Sequence, residues 1–220
     1  LAAIAVGIEN KSKKFNVIHS HDWITARAGM KVKQELKIPL IATMHSTEYD
    51  RTGFISPNEY LRDLEKEVCS IADKVIAVSG MTKKILIERH GIAKDKIEIV
   101  HNGINPHHFK NLYKNKFNFA EDNIVLFHGR LSIQKGPEFF LKTAKKVLEK
   151  KKNVRFIVSG KGDLMPKLAV MACNLGIADK VTFTSFTPQE KLNELYAASD
   201  VYVLPSVSEP FGITALEAMS

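Results

Sequence analysis

Residues 201–217 read Val-Tyr-Val-Leu-Pro-Ser-Val-Ser-Glu-Pro-Phe-Gly-Ile-Thr-Ala-Leu-Glu and join a short apolar run to a helical pattern. The run at 201–204 predicts a buried strand, and the pattern at 214–219 predicts the start of a helix. The loop between them is polar and contains Pro and Gly, which are typical of turns. A strand that leads through such a loop into a helix is the repeating unit of parallel α/β sheets.

Two acidic residues flank this loop, Glu209 within it and Glu217 on the following helix. The backbone N–H groups of Phe211, Gly212 and Ile213 are predicted at the helix start, where anions bind readily. Gly212 lacks a Cβ and allows a ligand to come close. Because two carboxylates would repel a phosphate, we expect each of them to accept hydrogen bonds from sugar hydroxyls instead.

The same strand–loop–helix unit recurs along the chain. Strands are predicted at 16–19, 39–43, 74–78, 97–100, 124–128, 154–159, 181–183 and 201–204. Helices are predicted at 24–36, 58–71, 80–90, 137–150, 164–175, 189–198 and from 214 onward. Asp22 and Ser79 are predicted caps, because short polar side chains accept hydrogen bonds from the first turn of a helix. This alternation predicts an α/β fold with doubly wound parallel sheets.

One stretch breaks the alternation and divides the chain. Residues 106–123 contain no sustained periodicity and are predicted to link two Rossmann-like domains, at 1–105 and 124–220. Ligands of such sheets bind beyond the carboxyl ends of the strands, and often in the cleft between two domains. We therefore expect the functional residues directly after the strands.

Three further loops after strands carry candidate residues. The first contains Gly129, Arg130 and Lys135, whose two cations could stabilise a departing diphosphate. The second contains His21, which we expect to point into the cleft, whereas His19 is predicted to be buried or to orient its neighbours. The third contains Gly160, where a Gly-x-Gly lets the backbone approach a ligand, although this motif is weak by itself.

The composition narrows the class of protein. The net charge is +8, and the basic residues are scattered apart from short runs at 11–14 and 150–152 that we interpret as solvated surface. Clustered basic and aromatic residues, expected of a nucleic-acid-binding protein, are absent from the sequence. Cys69 and Cys173 form no metal-ligand spacing and are predicted to be buried thiols, in keeping with a reducing, cytoplasmic location. The sequence contains neither an apolar run long enough to span a bilayer nor a signal peptide.

These motifs resemble those of the retaining glycosyltransferases of GT-B fold, family 4, close to the glycogen and starch synthases. His-Ser-His-Asp-Trp at 19–23 resembles the synthases' His-x-His-Asp-Trp, and Asn-Gly-Ile-Asn at 102–105 resembles the family's linker. Residues 129–136 resemble Gly-Arg-Leu-x-x-x-Lys-Gly, and Glu209 through Glu217 match the spacing of Glu-x7-Glu. The resemblance covers nearly the whole chain, in the expected order.

The resemblance implies a role for each matching residue. Arg130 and Lys135 would hold the diphosphate of a nucleotide-sugar donor such as UDP- or ADP-glucose. Glu217 would bind the ribose, and Glu209 would bind hydroxyls of the sugar. His21 would steady the transferred sugar in an oxocarbenium-like transition state. No cofactor and no metal ion are implied, since the sequence has no Asp-x-Asp motif and the cations and helix dipoles would offset the diphosphate charge.

The resemblance also implies that the chain is a fragment. The family's first strand with its Gly-rich loop would precede residue 1, and further sheet would follow residue 220, so both domains are expected to be incomplete and the fragment inactive alone. The identity of the acceptor is left open, and the candidates are a glucan, a lipid-linked sugar and a small molecule. Residues 47–49 could line its pocket or form an ordinary loop. Peripheral membrane contact and the oligomeric state also stay open.

Two other functions are weighed against transfer of a hexose. A sugar-nucleotide epimerase of the same fold would need an acid and a base for proton transfer, and the sequence offers no convincing pair. A non-catalytic sugar-nucleotide-binding fragment would use the same donor residues without turnover.

Overall fold

The structure, a computed structural model, describes residues 15–109, 122–185 and 187–220, with the backbone alone at residue 108. The chain divides into two compact units, Leu1–Asn102 and Gly103–Ser220. The predicted linker at 106–123 begins shortly after this division, within the second unit. Its first residues form a 3₁₀ helix, Pro106–Phe109, and residues 110–121 lie outside the described part of the chain. The basic run at 11–14 lies outside it as well.

The first unit is a parallel sheet flanked by helices. Its elements are β1 (Ile18–His21), α1 (Asp22–Leu36), β2 (Leu40–Met44), α2 (Glu48–Arg51), α3 (Glu59–Ile71), β3 (Lys74–Ala77), α4 (Gly80–Glu88), a 3₁₀ turn (Lys94–Lys96) and β4 (Ile97–Ile99). The four strands lie in the order β1-β2-β3-β4, with Ile18 opposite Leu40 and Val75 opposite Ile97. Every pairing is parallel, as the alternation of strands and helices requires.

The second unit has the doubly wound arrangement that the sequence predicts. Its elements after the 3₁₀ helix at 106–109 are β5 (Asn123–His128), a 3₁₀ turn (Ile133–Lys135), α5 (Pro137–Lys150), β6 (Val154–Ser159), α6 (Met165–Asn174), a 3₁₀ turn (Ala178–Lys180), β7 (Val181–Thr184), α7 (Gln189–Ala198), β8 (Val201–Tyr202) and α8 (Ile213–Met219). The parallel sheet has the order β7-β6-β5-β8, so the chain returns across the sheet to place β8 beside β5. Ligands of such sheets bind at this switch point.

Each unit has its own core. In the first, Leu40, Met44 and Leu86 are buried in one cluster between the sheet and its helices. In the second, Phe127 of the sheet and Phe140 of α5 belong to a cluster that also includes residues of α6. A smaller cluster includes residues of α7. Among the described residues, no helix is both long and apolar enough to cross a membrane.

All fifteen predicted strands and helices are present in the described residues, with ends that shift by at most two residues. Helix α2 was not predicted, since residues 47–49 were considered only as a pocket lining or a loop. Its one turn is stabilised by a capping box, in which the side chains of Thr47 and Asp50 each accept from the other's backbone N–H.

Two predictions about single residues are wrong, and one alternative for a third residue is excluded. Asp22 does not cap α1, because His21 takes the cap position and Asp22 begins the helix. The first turn is served by Thr25 instead, whose Oγ1 lies 2.7 Å from the His21 N and 2.8 Å from the His21 O. Cys173 is exposed, whereas Cys69 is buried as predicted. Of the two alternatives for His19, burial is excluded because the residue is exposed, and a role in orienting its neighbours stays a prediction.

Candidate functional site

The site in the second unit begins where β5 and β8 end side by side. Val203 N donates to Leu126 O at 2.8 Å, which prolongs the pairing of these strands toward the two loops that follow them. The loops then meet, because Val207 N donates to Gln134 O at 2.8 Å. This backbone contact brings the loop that carries Lys135 to the loop that carries Glu209.

Glycines make this close packing possible. Gly136 has a φ of 64°, and a Cβ there would collide with the carbonyl oxygen of Pro205. A Cβ on Gly160 would likewise collide with the carbonyl oxygen of Gly129, where the loops after β5 and β6 cross. The Gly-x-Gly of the sequence is therefore explained by the close packing of these two backbone loops.

Lys135 and Glu209 form the polar centre of the site. Lys135 Nζ lies 2.9 Å from Oε1 and 2.7 Å from Oε2 of Glu209, and the side chains are 20% and 22% exposed. Ser206 Oγ donates to Glu209 Oε2 at 2.9 Å. An ammonium has three N–H groups and a carboxylate has about four acceptor positions. The cluster therefore retains one donor for an anion and one acceptor for a hydroxyl.

Glu217 has a different environment on α8. Its Oε2 accepts a hydrogen bond from the Tyr196 hydroxyl at 2.9 Å. Burial raises the pKa of Glu217, and the hydrogen bond from Tyr196 partly counters this by stabilising the carboxylate. Burial, followed by the charge of Glu217, raises the pKa of Tyr196, so Tyr196 stays a neutral donor.

The remaining predicted residues of this unit lie on the same loops. Gly129 follows β5 directly, and its N–H donates to Ser159 O at 3.0 Å. Arg130 is exposed, and its guanidinium has no hydrogen-bond or ion-pair partner within the described residues. Gly212 is buried with a φ of 90° at the start of α8, between Phe211, which is half-buried, and Ile213, which is exposed.

His21 lies in the first unit, in a cluster of three imidazoles at the ends of β1 and β2. His21 Nδ1 lies 3.0 Å from His45 Nε2, and the two rings stack with centroids 5.2 Å apart. His19 lies 4.3 Å from His21 between centroids and 2.7 Å from Thr43 Oγ1 through its Nε2. Partial desolvation and the charges of His21 and His45 lower the pKa of His19, which favours the neutral ring.

The backbone beside His21 is strained. Asp22 has a φ of 52°, in the left-handed region that residues with a Cβ rarely adopt. Its carboxylate compensates by accepting from the His45 N at 2.7 Å. Strain that a polar contact holds in place is common at functional sites.

Beneath the loop after β2 lies a network of buried charges. Arg51 Nη1 donates to Ser46 O and Oγ at 3.1 and 3.0 Å, and Arg51 pairs with Glu48 at 3.0 Å and with the fully buried Glu65. Glu48 N donates to Glu65 Oε2 at 3.0 Å. This network fixes the loop that follows His45.

The sequence analysis missed three residues of these clusters. His45 could have been found from the sequence. It directly follows β2, His21 is the last residue of β1, and neighbouring parallel strands end at the same edge of the sheet. Ser206 lies three residues before Glu209 in the loop that was quoted first. Tyr196 gave no local signal, because it reaches Glu217 from the preceding helix. Among the described residues, no group of three His, Cys, Asp or Glu side chains could hold a metal ion.

Two family models match the chain. Residues 109–220, just over half of the chain, match the family described as Glycosyl transferases group 1. Residues 4–108 match the family described as Glycosyltransferase Family 4.

Individual proteins agree with these matches. An uncharacterized glycosyltransferase of Methanocaldococcus jannaschii is 36% identical over 218 residues, which cover 94% of this chain and 56% of the relative. A sucrose-phosphate synthase of Thermosynechococcus elongatus has a similar structure, with a TM-score of 0.82, 24% identity and coverage of 99% of this chain and 57% of that one.

Anabaena HepE, solved in complex with UDP and glucose, has a TM-score of 0.78 and 20% identity, with coverage of 97% of this chain and 59% of that one. The chain thus spans somewhat over half the length of these relatives. The two parallel α/β sheets of the chain are those of the GT-B fold. The chain belongs to the family of Glycosyl transferases group 1.

Proposed function

We propose that this chain belongs to an enzyme that moves a hexose, glucose in the first instance, from a nucleotide-diphosphate sugar to a hydroxyl acceptor with retention of configuration. The observation that carries the proposal is the cluster of Lys135, Glu209 and Ser206 at the switch point of the second sheet. This cluster combines a cation for phosphate with a carboxylate for hydroxyls, the two kinds of group that a sugar diphosphate presents.

The proposal gives each residue of the second unit one task. Lys135 and Arg130 bind the diphosphate and stabilise the charge that grows on it as the sugar leaves. Glu209 accepts hydrogen bonds from the sugar hydroxyls, and Glu217 accepts them from the ribose. Gly129, Gly160 and the backbone of Phe211, Gly212 and Ile213 complete the donor site. No metal ion is required, because the two cations offset the diphosphate charge.

The proposal assigns His21 to the transferred sugar. Its contact with His45 Nε2 at 3.0 Å fixes the orientation of the ring, which a group that steadies developing positive charge requires. His45 shares this task, since the two rings are stacked.

The finer specificity is proposed on narrower support. HepE was solved with UDP and glucose, and we propose UDP-glucose as the first donor, with ADP-glucose as the alternative. The motif at 19–23 favours a glucan acceptor similar to those of glycogen and starch synthases. We infer a cytoplasmic location from the two free cysteines, which suit a reducing compartment.

The test begins with the full-length protein and a screen of nucleotide-sugar donors, with mass spectrometry to identify the product and NMR to assign its anomeric configuration. In that protein, Lys135→Ala or Glu209→Ala should lower turnover more than about tenfold. This corresponds to about 1.4 kcal/mol or more of lost transition-state stabilisation.

The control is Lys180→Ala. Lys180 also forms a half-buried ion pair in the second unit, with Asp122 at 3.3 Å, but outside the candidate site, so this variant should keep its turnover. Wild-type rates in both site variants would show that the site is wrongly assigned. A full-length protein that neither transfers nor hydrolyses any donor would contradict the activity itself.

A further inference from the structure

The side chain of Tyr196 contacts Glu217, although Tyr196 lies outside the segment from Glu209 to Glu217. Tyr196 lies on α7 and donates its phenolic hydrogen to Oε2 of Glu217 on α8, at 2.9 Å. The other carboxylate oxygen of Glu217, Oε1, accepts no hydrogen bond within the described residues. One oxygen is therefore engaged and the other is left for a ligand.

The ring of Tyr196 is itself held in place. It packs edge-on against Phe109, His128 and Tyr202, with centroids 6.3, 6.0 and 5.7 Å apart. Edge-to-face contacts of this kind stabilise one orientation of each ring. The hydroxyl of Tyr196 thus projects toward Glu217 from a fixed base.

The chemistry of the pair suits recognition of hydroxyl groups. A carboxylate accepts hydrogen bonds from hydroxyl groups more strongly when it is ionised, and burial disfavours ionisation of Glu217 by raising its pKa. Tyr196 opposes this effect by donating to the carboxylate. Removal of the phenol would leave Glu217 both less ionised and free to rotate.

We propose that Tyr196 is a positioning residue for the donor nucleotide, which orients Glu217 so that its free oxygen faces the ribose hydroxyls. This inference rests on the proposed function, because it takes Glu217 as the ribose ligand.

The test measures recognition of the ribose hydroxyls directly. Calorimetric titration of the full-length protein with UDP and ADP, each compared with its 2′,3′-dideoxy counterpart, gives the preference for ribose. The wild type should favour the ribose form by about tenfold or more, because a site built for hydroxyls rejects analogues that lack them. In Tyr196→Phe, which keeps the ring, the preference should fall to about threefold or less, with the affinity for the dideoxy form unchanged.

Two matched variants sharpen the result. Tyr202→Phe removes a neighbouring phenol that donates to His128 O at 3.2 Å and not to Glu217, so the preference should persist. Glu217→Gln should lose the preference although Tyr196 is intact. On acidification, Tyr196→Phe should lose its remaining preference at a higher pH than the wild type does, because the donor that favours ionised Glu217 is gone.

The outcomes separate the two proposals. If Tyr196→Phe keeps the wild-type preference, or weakens both nucleotide forms equally, the inference about Tyr196 is overturned and the proposed function stands. If the wild type binds neither UDP nor ADP, the proposed function fails and the inference fails with it. If the wild type binds ribose and dideoxy forms equally, Glu217 is not a ribose ligand and the inference is likewise overturned.

Discussion

Glu217 is a residue of the candidate site whose burial destabilises the fold. Its carboxylate is half-buried, and that burial raises its pKa. Within the described part of the chain, the Tyr196 hydroxyl is the one group that donates a hydrogen bond to it. Glu209, in contrast, has Lys135 and Ser206 as partners. A half-buried carboxylate with one neutral partner lowers the free energy of unfolding. Such a destabilising residue is typical of a site that binds a ligand.

Replacement of Glu217 by Gln should therefore raise the melting temperature at pH 7. An acid with a raised folded-state pKa destabilises the protein above that pKa, and the penalty disappears as the pH falls through it. The gain should accordingly shrink toward pH 4, where the carboxyl is protonated with or without folding. Thermal unfolding at both pH values checks this, together with a nucleotide affinity that should fall about tenfold.

Glu190→Gln is the control for this stability change. Glu190 is an exposed acid on α7, and its replacement should change neither the melting temperature nor the affinity. At each pH, the change in melting temperature is that of Glu217→Gln minus that of the wild type. A smaller change at pH 7 than at pH 4 would contradict the proposed cost.

At the scale of elements, the loop between β2 and α2 depends on helix α3 for its shape. The carboxylate of Glu65 on α3 is fully buried and receives the Arg51 guanidinium and the backbone N–H of Glu48. Arg51 in turn holds the carbonyl and hydroxyl oxygens of Ser46. A residue on α3 therefore helps to fix the loop that directly follows His45.

Removal of the buried Glu65 carboxylate should lower the free energy of unfolding. Glu65→Ala removes the buried one of the two carboxylates that pair with Arg51 and leaves the Glu48 N–H without its partner. Breaking a buried pair costs about 3–5 kcal/mol. Urea unfolding should show a loss of this order. Glu67→Ala, which removes an exposed acid from the same helix, should change the free energy of unfolding by less than about 0.5 kcal/mol. Equal effects of the two substitutions would contradict the role of the network.

At the scale of the whole molecule, the chain contains separate cores. Leu86 belongs to the cluster of the first unit and Leu141 to that of the second, and both are fully buried. Each unit supplies its own sheet and its own candidate residues, with the imidazole cluster in the first and the Lys135–Glu209 pair in the second.

Separate cores predict local effects of core substitutions. Leu86→Ala should cost about 2–5 kcal/mol through the cavity it leaves and should speed hydrogen exchange in β1–β4 but not in β5–β8. Leu141→Ala, the matched variant, should do the reverse. Hydrogen exchange read by mass spectrometry distinguishes these patterns, and faster exchange in both sheets from either variant would show that the units unfold together.

The sequence by itself determined the regular elements and their class, because apolar periodicity and turn residues act locally. The strand at 124–128, the helix at 137–150 and the cap at Ser79 were all predicted from neighbours within a few positions. The expectation that functional residues follow strands also came from the sequence, since parallel strands place their carboxyl ends at one edge.

Only the tertiary structure decided which side chains meet. Nothing local to Tyr196 points to Glu217, and nothing local to Arg51 points to Glu65, because each pair forms where two elements pack. The structure likewise assigned the task of Asp22, whose carboxylate serves the loop of the neighbouring strand rather than its own helix. Periodicity records which face of an element is buried, whereas the partner of a buried polar group depends on the packing of elements distant in sequence.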